Sequence, residues 1–292
     1  MTVCIAAISE NNTEGPKIVF CADRQQSTSV NFEHASKVRY LKNVVIMFSG
    51  QTEDCIEIIN NATKDAPSGE NLTVANLAEL CKIYSQFQFR KLVEEKFLNS
   101  RGLKFKQFYS KGCPLPIELF KDLDERIKLF QLNFEEMVSL IIAGIDSSGT
   151  HIFEVTGNGQ LTAKDYLGFS IIGEGQRLSF PEITKNKYST SASLGEVLFR
   201  VFNAKKISER VSSVGKETDL GVIALTRNAG KEVTGKEVPE VDVEVHLITE
   251  EFKAEIEKAI ISLKEIETNY IHAVSDNIDG AMYRPQPAVN QK

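Results

Sequence analysis

The chain has 292 residues, enough for one domain with a sizeable core, and its 42% hydrophobic and 25% charged residues are ordinary for a globular protein. Its 40 acidic and 34 basic side chains give a formal net charge of -6, with no polybasic patch interleaved with aromatic residues. The composition therefore argues against a nucleic-acid partner and an anionic membrane surface, and no apolar run approaches the roughly 20 residues of a membrane helix.

Strands dominate the beginning of the chain. Apolar runs predict strands over Val3–Ile8, Ile18–Ala22 and Val44–Phe48, and helical periodicity follows near Glu53–Lys64. The first two strands are separated by a polar segment that is typical of a hairpin. We therefore expect an antiparallel sheet at the N-terminus, followed by a helix.

The middle of the chain returns from helix to strands. A second helix is predicted from about Val74 to Asn99, with Thr73 as its N-cap. Strands follow over Val138–Ile145, His151–Val155 and Tyr166–Ile172. Because blocks of strands alternate with blocks of helices, the pattern indicates an α+β protein with segregated layers.

The last part contains a helix, two strands and a long amphipathic helix. Ser193 is a predicted N-cap, and strands are predicted over Leu220–Thr226 and Val241–Leu247. The final helix is expected over 249–274, and the tail 275–292 has the composition of a poorly ordered segment. The apolar face of this helix consists of Phe252, Ile256, Ile260, Leu263 and Ile266.

Histidine and cysteine are few and scattered. The histidines form no i, i+4 pair and no HExxH motif, so we predict neither a metal site nor a cofactor. The cysteines are odd in number and lack paired spacing, which favours buried thiols in a reducing compartment. With no charged-then-apolar leader, we expect a cytoplasmic protein. The histidines are His34, His151, His246 and His272, and the cysteines are Cys4, Cys21, Cys55, Cys81 and Cys113.

The residues that bear on chemistry lie near the ends of the first strands. Removal of Met1 would make Thr2 N-terminal, so that its hydroxyl and free α-amine form a nucleophile and its base in one residue. An α-amine has an unperturbed pKa of roughly 8, so a useful fraction is neutral at physiological pH. Lys37 is a candidate to stabilise the developing alkoxide, and Asp23 to hold that lysine. The alternative is that Asp23 caps a turn and Lys37 is a solvated charge.

The order of these features resembles the β subunits of the proteasome and their bacterial relative, the hexameric peptidase that works with an unfoldase. The likeness is clearest over 2–64: a Thr-led strand, a strand ending in Ala-Asp, a polar loop containing Ser27, and the segment Ser36–Leu41. It resumes in 141–155, 172–175 and 220–226, so that roughly two thirds of the chain is covered.

That resemblance implies an N-terminal-nucleophile (Ntn) hydrolase. Thr2 would be the nucleophile, Asp23 and Lys37 its electrostatic partners, the Gly50 N–H an oxyanion donor, and Ser27 a substrate-binding residue. A glycine at position 50 lets the backbone approach a substrate carbonyl, although it also suits a residue that merely ends a strand. The implied fold is a four-layer αββα sandwich of two antiparallel sheets between helical layers. This domain would span 1–248, with a helical insertion at about 103–133.

The sequence departs from the family pattern at its auxiliary residues. Glu174 stands where the family carries a serine that assists proton transfer. The family's auxiliary aspartate and serine have no clean counterpart, and Glu209 and Ser213 are the nearest candidates. These departures argue against efficient peptide hydrolysis, although they leave the core of Thr2, Asp23 and Lys37 intact.

The expected activity is that of a threonine endopeptidase acting on peptides or proteins, assembled as a homo-oligomer with an ATPase unfoldase or other ring subunits as partners. If an amine resolves the acyl intermediate, the enzyme is an acyl transferase or protein ligase. The competing hypothesis is a non-catalytic assembly subunit, which the missing auxiliary serines favour. Against it stands the lack of the extra N-terminal helix that the proteasome α class carries before its first strand.

Overall fold

In a computed structural model of the protein, the chain divides into two compact units, Met1–Ile248 and Thr249–Lys292. The backbone alone is described in parts of 226–242 and in 267–282. The described residues are 2–10, 15–24, 36–67, 72–185, 187–228, 232–233, 236–237 and 240–282.

Most strands belong to two antiparallel sheets. Within the described residues, sheet I has the strand order β12-β9-β2-β1-β8, and sheet II has the order β3-β4-β5-β6-β7. A small hairpin, β10-β11, lies in the charged segment between β9 and β12. The strands are β1 (Cys4–Ser9), β2 (Lys17–Asp23), β3 (Val38–Leu41), β4 (Val44–Gly50), β5 (Val138–Asp146), β6 (Gly149–Thr156), β7 (Leu161–Ala163), β8 (Phe169–Ile172), β9 (Thr218–Asn228), β10 (Glu232–Val233), β11 (Lys236–Glu237) and β12 (Glu240–Leu247).

Helices cover the outer faces of both sheets. In the first unit, α1 and α2 pack on sheet II, whereas α5 and α6 pack on sheet I. The second unit contains α7, which continues past residue 274, where the sequence predicted a helix end. The α-helices are α1 (Thr52–Asp65), α2 (Val74–Val93), α3 (Phe105–Phe108), α4 (Ile117–Met137), α5 (Gln176–Thr184), α6 (Leu194–Ser208) and α7 (Glu250–Met282).

Alternation along the central strands explains why their apolar runs are continuous. In β4, Val45 and Met47 face the core between the sheets, whereas Val44, Ile46 and Phe48 face the core under α1 and α2. Successive side chains point to opposite faces of a sheet, and both faces are covered here. The result is the expected four-layer αββα sandwich of helix, sheet, sheet and helix.

Some boundaries differ from those predicted. The strand expected from Tyr166 begins at Phe169, because 164–168 form a turn that ends at left-handed Gly168 (φ +73°). Thr73 caps α2 as predicted, accepting a hydrogen bond from the Asn76 N–H at 3.1 Å. Helix α2 does not run unbroken to Asn99: it ends at Val93 and continues as a π-helical turn, Glu94–Leu98, and a short 3₁₀ turn. The segment 103–133 holds α3 and most of α4.

Candidate active site

Thr2 lies two residues before β1 and is held by the loop that follows β8. It is 2% exposed, and its carbonyl accepts a hydrogen bond from the Gly175 N–H at 3.3 Å. Gly173 in the same loop has φ +94°, and a Cβ there would lie 2.2 Å from the Thr2 carbonyl oxygen. Only glycine suits both the left-handed backbone and this close approach, so the loop can press directly against Thr2.

Asp23 ends β2 and is fully buried beside Thr2. Its carboxylate accepts hydrogen bonds from the Val3 N–H at 2.9 Å and the Gly215 N–H at 3.1 Å. The antiparallel pairing of β1 with β2 sets Cys4 opposite Ala22, so the start of β1 meets the end of β2. Alternation and register therefore bring the two sequence-predicted residues together.

Lys37 precedes β3, in the other sheet, and completes the cluster. Its ammonium donates hydrogen bonds to the Thr2 Oγ1 and to both Asp23 carboxylate oxygens, each 3.2 Å away. The side chain is 3% exposed, and its carbonyl accepts the Phe48 N–H at 3.2 Å, which fixes this residue to β4. The solvated-charge alternative for Lys37 is wrong, since the ammonium is buried between a hydroxyl and a carboxylate.

Gly50 ends β4 near this cluster. Its φ is +114°, and a Cβ there would lie only 1.9 Å from the Met137 carbonyl oxygen, so the position requires glycine. The residue before Gly50 shows how close the end of β4 is to Thr2. The Ser49 Oγ would lie 2.8 Å from a Cβ built on Gly173, and Gly173 is the residue that packs on Thr2. The end of β4 thus reaches the same loop that holds Thr2.

Cys4 is the other nucleophilic side chain close to the cluster. Burial raises the pKa of its thiol well above the usual range, and the charge of Asp23 adds to that rise while Lys37 opposes it. The Cys4 Sγ donates to the Phe48 carbonyl at 3.4 Å. A neutral, hydrogen-bonded thiol is a poor nucleophile.

The auxiliary residues fall into two places. The Ser213 Oγ donates to the Glu174 Oε2 at 2.6 Å, so these two form a pair in the loops on either side of Thr2. Glu209 does not join this pair: its carboxylate lies 2.5 Å from the Lys205 ammonium and 3.3 Å from that of Lys206. Ser27 lies outside the described residues.

Two contacts of the site have no counterpart in the sequence analysis. Besides the Gly215 N–H, the fully buried Lys205 donates to the Lys216 carbonyl at 2.6 Å, which ties α6 to the loop that reaches Asp23. The signal for Lys205 was available, because Val197 and Val201 precede it at i, i+4 spacing on the buried face of the helix. The sequence contained less indication of Gly215. A glycine before the late strand indicates a loop, but it does not indicate which residue the backbone of that loop will contact.

The arrangement is suited to acyl transfer. It places a hydroxyl, a buried ammonium and a carboxylate in contact, with glycine-rich backbone beside them. In the part of the chain that the structure describes, no three His, Cys, Asp or Glu side chains are grouped to hold a metal. Nor does any described helix combine the length and apolar character that crossing a bilayer requires.

The two packed antiparallel sheets, flanked by helices, define the class: this is a four-layer αββα fold of the proteasome-like kind. Solved structures with this fold cover nearly the whole chain. Anbu from Yersinia bercovieri, described as an ancestral β-subunit, is 13% identical, with a TM-score of 0.60 over 91% of this chain and 97% of that one.

Two structures of Anbu from Hyphomicrobium sp. strain MC1 are similar to the same degree. One is 12% identical and the other, a Gly-1 mutant, 13%; each has a TM-score of 0.56 over 92% of this chain and 97% of its own. No protein-family model and no curated protein sequence matches the chain. The likeness at this identity establishes the fold, and the chemistry must be argued from the residues.

Proposed function

We propose that the chain is a threonine-type peptidase or amidase of the proteasome β-subunit type, with residues 1–248 as its catalytic domain. The observation that carries the proposal is the buried Lys37 ammonium, which contacts both the Thr2 hydroxyl and the Asp23 carboxylate. Burying a charge is costly unless the charge is paired, and a lysine that served only at the surface would not need to be buried. Its place against a hydroxyl fits the stabilisation of an alkoxide.

In the proposed mechanism, Met1 is first removed, which frees the Thr2 α-amine. The Thr2 Oγ1 attacks the substrate carbonyl while the neutral α-amine accepts the hydroxyl proton. The Gly50 N–H stabilises the oxyanion, and Lys37 stabilises negative charge developing on Oγ1. The protonated α-amine then gives its proton to the leaving amine, the C–N bond breaks, and an ester to Thr2 remains. Water, activated by the same amine, hydrolyses that ester and restores the hydroxyl.

Glu174 and Ser213 have a supporting role in this proposal. Their hydrogen bond joins the loop that packs on Thr2 to the loop whose Gly215 binds Asp23. The pair therefore stabilises both walls around the nucleophile, in place of the serine and the aspartate-serine pair of the family.

The same proposal includes the setting of the enzyme. We place it in the cytoplasm, assembled from several copies of this chain, with peptides or unfolded proteins as substrates and an ATPase unfoldase or further ring subunits as partners. The basis is the similarity of the fold to a protein described as an ancestral β-subunit. Sedimentation of the purified chain tests the oligomer directly.

The decisive experiment combines intact mass with covalent labelling. Protein purified from cells should lack Met1, and a peptide epoxyketone or β-lactone should add one inhibitor to Thr2, as mapped by tandem mass spectrometry. Thr2→Ala should abolish both labelling and turnover of a fluorogenic peptide. Thr63→Ala is the control, because Thr63 is a half-buried threonine of α1 whose hydroxyl donates to the Ile59 carbonyl of the same helix at 2.8 Å.

The outcomes separate the alternatives. Active protein that retains Met1 would contradict the mechanism, and labelling elsewhere would point to another nucleophile. Mature protein that is neither labelled nor active would favour a non-catalytic assembly subunit. Transfer of the acyl group to an added amine in preference to water would identify an acyl transferase or protein ligase.

A further inference from the structure

An open groove lies between the end of α2 and α3, where the insertion meets α2, outside the two-sheet core. Its volume is about 610 Å3. Its aromatic walls and charged rim include Phe87, Phe105, Tyr109, Arg90, Glu94 and Lys106. Lys91 also lines it, but its ammonium is already paired with Glu57 at 2.7 Å. Phe87 is 57% exposed and Tyr109 46%, so two large rings of this groove face solvent. Exposed aromatic surface of this kind marks interaction sites.

The groove carries positive charge that the protein itself does not neutralise. The Glu94 carboxylate already accepts hydrogen bonds from the Phe105 N–H at 2.9 Å and the Lys104 ammonium at 3.1 Å, which lower its pKa. Among the described residues, no carboxylate lies within ion-pair distance of Arg90 or Lys106. In a chain with a net charge of -6, this is a local excess of cations beside aromatic rings.

The groove is also preformed. The Gln107 side chain caps the first turn of α3 by accepting the Lys104 N–H at 2.8 Å, and the Tyr109 hydroxyl donates to Asp124 at 3.1 Å. The Phe105 and Tyr109 rings lie 5.0 Å apart, and the Arg90 guanidinium lies 5.9 Å from the centre of the Phe105 ring. A preformed site loses less conformational entropy when a ligand binds.

The end of α2 contributes to this geometry. Helix α2 changes to π-helical pairing at Glu94, the residue that fixes α3 through the two hydrogen bonds above. Single π-helical turns are frequent at functional sites, where they alter the direction of side chains. The departure from regular helix thus lies at the residue that assembles the groove.

We propose that this groove binds an acidic peptide segment of a partner protein, with an aromatic or large aliphatic residue next to its carboxylates. Arg90 would take a carboxylate through paired N–H donors, and Lys106 would add a second positive charge. The apolar residue of the peptide would cover Phe87 and Tyr109, the most exposed rings. This inference concerns the groove between α2 and α3, and it does not depend on the chemistry of Thr2.

The test is fluorescence anisotropy with the full chain and a fluorescein-labelled peptide of sequence Gly-Ser-Asp-Glu-Phe-Asp-Leu-Gly. We expect saturable binding that weakens as salt is added, because the contacts are partly ionic. The double variant Arg90→Ala/Lys106→Ala should weaken binding at least about 10-fold. Peptides with the acids changed to their amides, or with Phe changed to Ala, should also bind more weakly.

Lys96→Ala is the matched control. Lys96 is an exposed cation in the adjoining π-helical turn, but its ammonium lies over the Phe130 ring at 4.4 Å and outside the groove. This variant should bind the peptide as the unaltered chain does. All substituted residues are exposed, and thermal unfolding would verify that each variant is folded.

Three results would overturn the proposal: no saturable binding at millimolar protein, equal binding by the double variant, or equal loss in Lys96→Ala. A fourth would assign the groove to a second copy of the chain. In that case Arg90→Ala/Lys106→Ala would reduce self-association in sedimentation, and the peptide would not compete. Because Thr2→Ala should bind the peptide normally, failure here is distinguishable from failure of the proposed peptidase activity.

Discussion

Replacing Lys37 by methionine tests the electrostatic core of the site, because methionine keeps the unbranched apolar stem of lysine but lacks the terminal ammonium and its charge. The ammonium contacts Oγ1 of the proposed nucleophile and lies 3.2 Å from each oxygen of the buried Asp23. Loss of a comparable charge-stabilising contact costs on the order of 10²–10³ in kcat, or about 2.7–4 kcal/mol of transition-state stabilisation. We expect Lys37→Met to lose turnover by that factor.

The same change should destabilise the fold. Removing one partner of a buried ion pair costs roughly 3–5 kcal/mol, since the other charge stays buried. Asp23 keeps its hydrogen bonds from the Val3 and Gly215 N–H groups, so we expect the low end of this range, about 3 kcal/mol. Urea unfolding at constant pH measures that loss, provided the unfolding is reversible.

A second substitution separates the two contributions. Adding Asp23→Asn to Lys37→Met removes the uncompensated charge and should recover part of the stability. The recovery is incomplete, because each Asp23 oxygen accepts a backbone N–H and an amide would turn its NH2 toward one of them. Turnover should stay low, since the lysine is still missing.

Lys164→Met is the matched control, because Lys164 pairs with Glu154 at a similar 3.2 Å but is about a fifth exposed. It should change stability by at most about 1 kcal/mol and leave turnover unchanged. Full turnover and labelling of Thr2 in Lys37→Met would refute the assignment of Lys37 to the site.

Three further results are expected. Gly50→Ala should destabilise the protein by more than about 1 kcal/mol in urea, because φ is +114° and the new Cβ would meet the Met137 carbonyl; full stability would contradict this backbone geometry. Lys205→Met should free the loop carrying Gly215, because it removes the hydrogen bond to the Lys216 carbonyl. We therefore expect kcat to fall more than KM rises, and the pH profile of kcat to shift. Lys205→Arg should restore part of the rate, and an unshifted profile would indicate a purely structural role. In the unaltered enzyme, kcat/KM should rise with pH up to roughly 8, because the proposed base is the neutral α-amine, whose unperturbed pKa is roughly 8; a flat profile from pH 6 to 9 would exclude the amine.

The positions of Thr2 and Asp23 were predictable from sequence because both residues flank apolar strands: Thr2 lies two residues before β1, and Asp23 ends β2. Periodicity did not predict β3, and Lys37, which precedes that strand, was located by the resemblance. Their role in catalysis stays a prediction. The resemblance to a known fold then indicated which strand ends meet. Sequence periodicity alone assigns residues to faces but does not pair one sheet with another.

What the sequence did not predict depends on contacts between distant loops. In the sequence, Lys205 is an ordinary helix lysine, and only the structure shows its hydrogen bond to the Lys216 carbonyl. Likewise, only the structure shows that the Gly215 N–H donates to the Asp23 carboxylate. The π-helical turn at Glu94 likewise has no propensity signal, because the residues Glu94–Leu98 favour a regular helix. Tertiary hydrogen bonds to Phe105 and Lys104 at this residue replace that local preference.

Both sheets contribute residues to the cluster around Thr2, so the cluster forms only when both sheets are in place. Thr2 and Asp23 belong to the ends of sheet I, whereas Lys37 and Gly50 belong to sheet II. In a chain that has formed only one sheet, the Lys37 ammonium does not yet contact the Thr2 hydroxyl, so under the proposed mechanism this hydroxyl is inert. Reactivity toward an electrophile should appear at the last stage of folding, when the core between the sheets closes, and should disappear with the first cooperative loss of structure. Under the proposed mechanism, this dependence would keep the nascent chain from cleaving its own peptide bonds or those of its neighbours during synthesis.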